Sequence, residues 1–170
     1  MNNNILIEMK FVTDAMFGRL TRFLRIFGYD TVYANDLEDY FQINPVPDDK
    51  LLEYAEQNNR IIITKDYLFH KKIRDKSILL EGEGVYNYLK QLKIKLDLSY
   101  NFDMKIARCS RCNFELMGVK DKNSIKNLVE PETFKYNDDF YQCTNSNCKK
   151  IYWKGTHIEN IVNKLKKMNI

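Results

Sequence analysis

The sequence predicts an α/β fold in which a parallel sheet is flanked by helices. Three observations carry this prediction: short apolar runs typical of buried strands, longer segments with apolar residues at helical spacing, and the alternation of the two along the first hundred residues. Parallel strands need a crossover connection, which is usually a helix. The alternation therefore indicates one sheet with helices on both faces.

Four short apolar segments are the predicted strands of this sheet: residues 5–12, 31–34, 60–64 and 77–80. The first and third are apolar on both faces, as expected of parallel strands that helices cover on both sides. Residues 35–47, which contain Pro45 and Pro47, are predicted to be mostly loop, with part of the segment helical.

The predicted helices follow the strands. The first carries an apolar stripe at helical spacing: Met16, Leu20, Phe23, Leu24 and Phe27. Gly28 lies just past this stripe, where a C-terminal cap is expected. Further helices are predicted to begin near Asp48, to span 67–74 and to span 85–92, where Tyr88, Leu89 and Leu92 point inward.

The second half of the chain has a different pattern. Residues 108–155, here called the ribbon, read as short strands and turns around four cysteines, and a terminal helix is predicted over 157–168. We therefore expect two units, an α/β domain at 1–101 and the ribbon with its terminal helix at 105–170.

Composition narrows the class of protein. Of the residues, 44% are hydrophobic and 29% are charged, which is typical of a soluble globular chain. No apolar run approaches the roughly 20 residues that span a bilayer, and the first residues lack the pattern of a signal peptide. We expect a cytoplasmic protein with no membrane partner, a setting in which paired cysteines more often bind metal than form disulfides.

Charge is unevenly distributed. Residues 1–104 carry 14 basic and 16 acidic side chains, whereas residues 105–170 carry 13 and 7. A basic segment beside a slightly acidic one suggests a polyanion that one part holds and the other processes. A general bias of the sequence toward lysine and asparagine would give the same count.

The four cysteines form two closely spaced pairs. Two residues separate Cys109 from Cys112, and four separate Cys143 from Cys148; both intervals occur at structural zinc sites. Four thiolates fill a tetrahedral site and leave no position for water, so the ion would be structural and not catalytic. The alternatives are free or disulfide-bonded cysteines, a redox pair at Cys109 and Cys112, and His157 as a ligand.

Carboxylates recur where a strand or loop feeds a predicted helix, at Asp14, at Asp48 or Asp49, and at Asp66. In an open parallel sheet these points lie along the edge at which ligands bind. Grouped carboxylates repel one another unless cations neutralise them. Such a group could hold two Mg²⁺ or Mn²⁺ ions about 4 Å apart, as phosphodiester hydrolysis requires. Helix capping, worth about 1 kcal/mol, explains each aspartate taken alone.

Basic residues recur every three positions along the first predicted helix, at Arg19, Arg22 and Arg25. They lie close to Asp14 in the sequence and could follow a phosphate backbone. A solvated helix face would have the same pattern.

Taken together, these residues resemble the Mut-7 C-terminal RNase domain family, which has a PIN-like nuclease fold with an appended zinc ribbon. The resemblance covers residues 11–165, and its most specific segments are 14–30, 60–66, 108–113 and 152–157. The chain departs from the family pattern at Phe23, Lys65 and Thr156, where Trp, Arg and Ser are usual. Its second cysteine pair is also wider than usual.

The resemblance implies metal-dependent hydrolysis of RNA phosphodiester bonds. By position, Asp14 and Asp66 are similar to two catalytic carboxylates of PIN-like nucleases, and Asp49 or its neighbour Asp48 is similar to a third. Asp36 is a weaker fourth candidate. The implied cofactors are catalytic Mg²⁺ or Mn²⁺ at the aspartates and structural zinc at the cysteines.

The expected partner is RNA. We expect Arg19, Arg22, Arg25 and Lys65 to contact its phosphates, and the ribbon to add basic surface. Tyr152 and Trp153 either stack on bases or pack between the ribbon and the α/β domain. Docking on a larger RNA-processing complex or on the ribosome stays open, as does the oligomeric state.

Two rival functions remain. In the first, the protein is a non-catalytic RNA-binding zinc-ribbon protein, and its aspartates only cap helices. In the second, the cysteines form a redox or regulatory zinc switch, which requires reversible loss of zinc on mild oxidation. Only the first rival shares the basic ribbon with the nuclease hypothesis.

Overall fold

A computed structural model describes residues 9–170, and its first half contains a four-stranded parallel sheet. The strands are β1 (Lys10–Thr13), β2 (Asp30–Tyr33), β3 (Ile61–Thr64) and β4 (Ser77–Leu79). Their order in the sheet is β2-β1-β3-β4. The predicted parallel sheet is thus confirmed. Residues 5–8, the start of the first predicted strand, lie outside the described part of the chain.

Helices connect and cover these strands. They are α1 (Gly18–Ile26), α2 (Glu38–Phe41), α3 (Asp48–Gln57), α4 (Tyr67–Ile73), α5 (Val85–Leu96) and, after the short ribbon helix α6 (Pro131–Tyr136), α7 (Thr156–Lys167). The predicted helices at 67–74, 85–92 and 157–168 correspond to α4, α5 and α7. Across residues 9–170, none of the helices combines the length and apolar character needed to cross a membrane.

Alternating side chains of the central strands face two different cores. Phe11 and Ile63 belong to the core beneath α1, α5 and α7, whereas Val12 and Ile62 belong to the core beneath α3 and α4. All four side chains are fully buried. Strands covered on both faces have no polar side, which explains why they appear in the sequence as continuous apolar runs.

The start of the first helix differs from the predicted stripe. Residues Ala15–Phe17 form a 3-10 turn before α1 begins at Gly18. The tighter turn shifts the phase of the side chains, so Met16 is 63% exposed and Phe17 enters the core instead. The predicted cap is present: Gly28 follows α1 with a φ of +90°, a value that favours glycine.

A second, antiparallel sheet lies in the ribbon, with β5 (Leu116–Gly118), β6 (Phe140–Cys143) and β7 (Ile151–Trp153) in the order β5-β6-β7. It has a small core of its own, formed by Ile125, Phe140 and Ile151. The 30 residues between the two cysteine pairs therefore do not form an unstructured loop. They hold most of the ribbon's own core.

The terminal helix α7 packs on the main core. Its Ile161 and Leu165 are buried in the same cluster as side chains of α1 and α5. The expected division of the chain at residues 101–105 stays a prediction, and this contact joins the terminal helix of the second unit to the α/β core.

A nearly buried ion pair ties the edge of the sheet together. Arg60 donates from Nη1 to Asp30 Oδ1 at 2.8 Å and from Nη2 to Oδ2 at 3.1 Å. Asn113 of the ribbon donates to the same Oδ1 at 2.6 Å and accepts from the Thr31 N–H at 3.0 Å. Burial raises the pKa of Asp30, but the bonds from Arg60 and Asn113 outweigh it and hold this pKa below its usual value.

The ion pair between Arg60 and Asp30 predicts how the free energy of unfolding depends on pH. Asp30→Asn should lower the free energy of unfolding by about 2–3 kcal/mol at pH 7, somewhat less than a fully buried pair because some solvent contact remains. A carboxyl with a lowered folded pKa stabilises the fold above its unfolded pKa of about 3.9. The difference between variant and wild type should therefore shrink as pH falls through 4.

Urea unfolding at a series of pH values measures this difference. Asp139→Asn, which removes an exposed carboxylate in the ribbon, is the matched control and should change stability by no more than about 0.5 kcal/mol. A loss in Asp30→Asn that stays constant down to pH 3 would show that the charge of Asp30 is not what stabilises the edge.

Candidate functional site

The order of the strands creates a crevice between β1 and β3. The chain leaves β1 toward β2 on one side and leaves β3 toward β4 on the other, so the direction of the connections reverses between these two neighbours. In open α/β sheets, ligands bind outside the carboxyl ends of the strands at such a switch point. Asp14 directly follows β1, and Asp66 follows β3 after one residue.

A buried hydroxyl joins the two aspartates. Thr64 Oγ1 donates to Asp14 Oδ2 at 2.8 Å and accepts from the Asp66 N–H at 2.9 Å. Thr64 is fully buried, so its position is set by the sheet and not by solvent. Sequence reasoning missed this residue, although a threonine that ends an isoleucine run two residues before an aspartate was a usable signal.

Asp14 and Asp66 also cap helical turns. Asp14 Oδ1 accepts from the Met16 N–H at 2.7 Å, and Asp66 Oδ1 accepts from the Phe69 N–H at 2.8 Å. In each carboxylate, one oxygen therefore serves as a helix cap, as the capping alternative predicts. The second oxygen of Asp14 is the one bound to Thr64.

Asp48 has a different environment. It is the first residue of α3, but Pro47 occupies the capping position, and no side chain caps this helix. Burial raises the pKa of Asp48, and the negative charges of Asp66 and Asp14 raise it further. Asp48 thus lies within electrostatic reach of both other carboxylates. Both Asp48 and Asp49 are exposed, and the charge of Asp49 has a smaller effect on the pKa of Asp48 than those of Asp66 and Asp14.

The carboxylate oxygens of Asp14, Asp48 and Asp66 are not close enough to one another to bind one metal ion together. Among residues 9–170, the group whose ligand atoms all lie within 4.8 Å of one another consists of the four cysteines, and the aspartates do not form a second one.

Arg25 is not on the exposed face where a phosphate contact was expected. It is 2% exposed, and its guanidinium donates to Thr31 O at 2.8 Å, Ser110 O at 3.2 Å, Arg111 O at 3.1 Å and Asp36 Oδ2 at 2.6 Å. These bonds use Nε and both Nη atoms. Arg25 therefore fixes the turn from Cys109 to Cys112, here called the first cysteine turn, to the sheet. Asp36 is its ion-pair partner.

The spacing of the arginines explains this difference. At 3.6 residues per turn, each step of three residues falls about 60° behind a full turn, so Arg25 points about 120° away from Arg19. The ribbon covers α1 on that side. Arg19 and Arg22 remain exposed.

Lys65 and a further carboxylate also lie at the carboxyl edge of the sheet. Lys65 Nζ donates to Glu83 Oε1 at 2.5 Å, and Glu83 follows β4 in an exposed loop. The hydrogen bond from Lys65 lowers the pKa of Glu83. Sequence reasoning did not single out Glu83, although it lies just after the fourth strand, as Asp14 and Asp66 lie after the first and third.

The four cysteines converge as expected. The Cys109 and Cys148 sulfurs are 3.7 Å apart, and those of Cys112 and Cys143 are 3.4 Å apart. With Zn–S bonds of about 2.3 Å, a tetrahedral zinc site requires sulfurs about 3.8 Å apart. A disulfide requires about 2.05 Å, and all four cysteines are free, so the disulfide alternative was wrong.

The cysteine turns supply donors that stabilise thiolates. Burial raises the pKa of Cys109, but hydrogen bonds from the Tyr152 hydroxyl and from the backbone N–H groups of Cys112 and Arg111 hold it at about 7. Burial and the neighbouring sulfurs raise the pKa of Cys143. Four sulfurs at this spacing could hold a divalent cation, which would deprotonate the thiols.

The two aromatic residues of β7 differ in their surroundings. Tyr152 Oη lies 3.1 Å from Cys109 Sγ and accepts from the Ser110 N–H at 3.0 Å, which ties the tyrosine to the first cysteine turn. Tyr152 therefore packs within the protein, which was the alternative to stacking on a base. Trp153 remains 36% exposed.

Comparison with known proteins adds one finding to this geometry. A family model described as the Mut7-C RNAse domain matches residues 9–165, nearly the whole chain. No curated protein and no solved structure matches the sequence. The description of the family points to a nuclease, and so to a hydrolase with RNA as its substrate. The match covers both the carboxylate edge and the cysteine cluster, and the chain belongs to the Mut7-C RNAse domain family.

Proposed function

We propose that the protein is a metal-dependent ribonuclease that hydrolyses RNA phosphodiester bonds at the carboxyl edge of its parallel sheet. The observation that carries the proposal is the pair of hydrogen bonds by which buried Thr64 joins Asp14 to the turn of Asp66 at the switch point. We also propose that residues 1–101 are a PIN-like nuclease domain and that residues 105–170 are a zinc ribbon with a terminal helix.

The proposed metal ligands are Asp14, Asp48 and Asp66. Asp48 is preferred to Asp49 because its charge is coupled to those of Asp14 and Asp66. Carboxylate oxygens are the ligands that Mg²⁺ and Mn²⁺ favour. When bound, such an ion activates water and stabilises the charge that develops on the phosphate.

The chain's own residues hold this site in place. Thr64 orients the second oxygen of Asp14, and the caps made by Asp14 and Asp66 fix both carboxylates relative to the helices that follow. Arg19, Arg22 and Lys65 are the proposed phosphate contacts. Arg25 is not a proposed phosphate contact and Asp36 is not a proposed metal ligand, because their ion pair anchors the ribbon.

The cysteines are proposed to hold one structural zinc ion. Four sulfurs at tetrahedral spacing fill every coordination position, so zinc would stabilise the ribbon and take no part in hydrolysis. Zinc at this position would also fix the Ser110 and Arg111 carbonyls that Arg25 binds, because they lie in the first cysteine turn, and Tyr152, whose hydroxyl accepts from the Ser110 N–H of that turn.

The capping bonds favour one rival function. If Asp14 and Asp66 serve only as caps, the protein would bind RNA through its basic ribbon without cleaving it. A substitution that keeps the helix cap but removes the negative charge distinguishes the two functions, because only the nuclease needs the charge. Asparagine is such a substitution, since it caps helices as well as aspartate does.

Asp14→Asn and Asp66→Asn should each lower RNA cleavage at least about 100-fold, or about 2.7 kcal/mol of transition-state stabilisation, while leaving the fold intact. The measurement is cleavage of a labelled RNA with Mn²⁺ under single-turnover conditions, with circular dichroism of each variant. Asp75→Asn, an exposed aspartate beyond α4, is the control and should retain wild-type activity. Full cleavage by both variants would refute the catalytic assignment.

Cys143→Ser should abolish zinc binding and lower the melting temperature of the protein, because the remaining three thiolates bind the ion less tightly. Native mass spectrometry of the wild type should show one zinc ion per chain, lost on treatment with a chelator. Ser146→Ala, in the same turn, serves as the control and should keep its zinc. A wild-type protein that binds no zinc after purification in its presence would contradict the assignment.

A further inference from the structure

A groove of about 630 Å³ lies between α1 and the segment that joins β7 to α7. One wall is formed by α1 and the other by the ribbon and the start of α7. The side chains that give it its chemistry are Arg19, Arg22, Lys150, Trp153 and His157. None of these residues has been given a role in holding the proposed metal ions.

The groove is basic on both walls. Among its lining residues in the described part of the chain, none is acidic. The Arg19 guanidinium lies over the Phe23 ring at 5.8 Å, and Lys150 Nζ lies over the Tyr152 ring at 5.2 Å. Cation–π contacts of this kind orient each charge without neutralising it. Across residues 9–170, Arg19, Arg22 and Lys150 take part in no ion pair.

Trp153 presents an exposed aromatic surface in this groove. Its indole ring is held at a 58° angle to Phe140, with the ring centroids 6.3 Å apart. Gly155 lies against the edge of the indole, where an added Cβ would come within 3.0 Å of Nε1. The indole is thus fixed by its neighbours but remains 36% exposed.

The groove leads toward the carboxyl edge of the sheet. It shares Gly18, Arg22 and Lys150 with an adjoining groove of about 540 Å³, which is lined also by Tyr33. Tyr33 Oη donates to the carbonyl of Ala15 at 2.7 Å, next to Asp14 in the chain. Gly18 and Arg22 are one helical turn apart, about 6 Å along α1. The exposed side of α1 therefore connects the groove beside Trp153 with the turn that follows Asp14.

We propose that this groove binds an unpaired segment of RNA, with one base stacked on Trp153 and the adjoining phosphates held between Arg22 and Lys150. The inference rests on the proposed ribonuclease function and gives its substrate class, which is single-stranded RNA led along α1 to the carboxylates. An aromatic surface between cations is the arrangement by which proteins bind single strands. The volume of the groove is that of a small-molecule site, which suits single nucleotides, whereas double-stranded RNA is recognised over many base pairs.

The tryptophan makes the proposal directly measurable. Trp153 is the single tryptophan of the sequence, so fluorescence excited at the long-wavelength edge, where the 11 tyrosines do not absorb, reports on this groove. The full-length Asp14→Asn variant is titrated with unlabelled oligouridylate, so that cleavage does not interfere. Single-stranded RNA should quench the fluorescence to saturation, and a blunt RNA duplex should bind at least about 10-fold more weakly.

Substitutions on both walls locate the strand. Arg22→Gln and Lys150→Gln should each raise the Kd for oligouridylate several-fold and reduce the slope of log K against log salt by about 0.7, the value for one phosphate contact with a single strand. Lys90→Gln, an exposed lysine on α5, is the matched control and should change neither quantity. Trp153→Ala, followed by anisotropy of labelled RNA, should weaken binding roughly 10-fold with zinc content unchanged.

Several results would overturn the groove proposal. Two of them are saturable binding without quenching and equal affinity for duplex and single strand. A third is equal quenching by polyglutamate, which would indicate a non-specific polyanion surface or a site for an acidic protein. If wild-type cleavage requires Asp14 but Arg22→Gln leaves KM unchanged, the groove proposal fails and the nuclease proposal stands. If cleavage persists in Asp14→Asn while quenching follows the pattern above, the catalytic assignment of the nuclease proposal fails and the groove proposal stands.

Discussion

The parallel pairing of β1 with β3 is the constraint on which the candidate site depends. Because the two strands run in the same direction, their carboxyl ends coincide, and the residues that follow them become neighbours. The Asp14 N–H continues this ladder by donating to Ile63 O at 3.1 Å. The sheet thereby places like charges together, and the pKa of Asp48 is raised first by burial and then by the negative charges of Asp66 and Asp14. Nearby carboxylates that destabilise one another are suited to a site that a divalent cation stabilises.

The buried guanidinium of Arg25 connects this sheet to the ribbon. It binds one carbonyl of β2, two carbonyls of the first cysteine turn and the carboxylate of Asp36. The Arg108 N–H returns a bond to the carbonyl of Arg25 at 2.8 Å. The cysteine cluster and the position of the ribbon on α1 are therefore linked through Arg25, beside the bonds that Asn113 makes to Asp30 and Thr31. The basic groove exists because the ribbon is held in this position.

Sequence reasoning succeeded where local pattern decides the structure. Strands covered on both faces are apolar throughout, and Asp14 and Asp66 could be selected because each follows such a strand. It failed where the partner of a residue comes from elsewhere in the chain. Thr64 acquires its role only when β1 lies beside β3, and Arg25 is buried only because the ribbon covers α1. The choice between Asp48 and Asp49 depends on the direction in which α3 enters the edge.

If the carboxyl edge of the sheet holds the catalytic metal, as proposed, anomalous diffraction can locate that metal directly. Crystals of the full chain are soaked in Mn²⁺, and data are collected at the manganese edge and at the zinc edge. We expect an anomalous manganese peak bounded by Asp14, Asp48 and Asp66, which disappears in Asp14→Asn crystals while the zinc peak at the cysteines remains. The contrary result is an empty carboxylate edge at millimolar Mn²⁺ in crystals whose wild-type protein cleaves RNA.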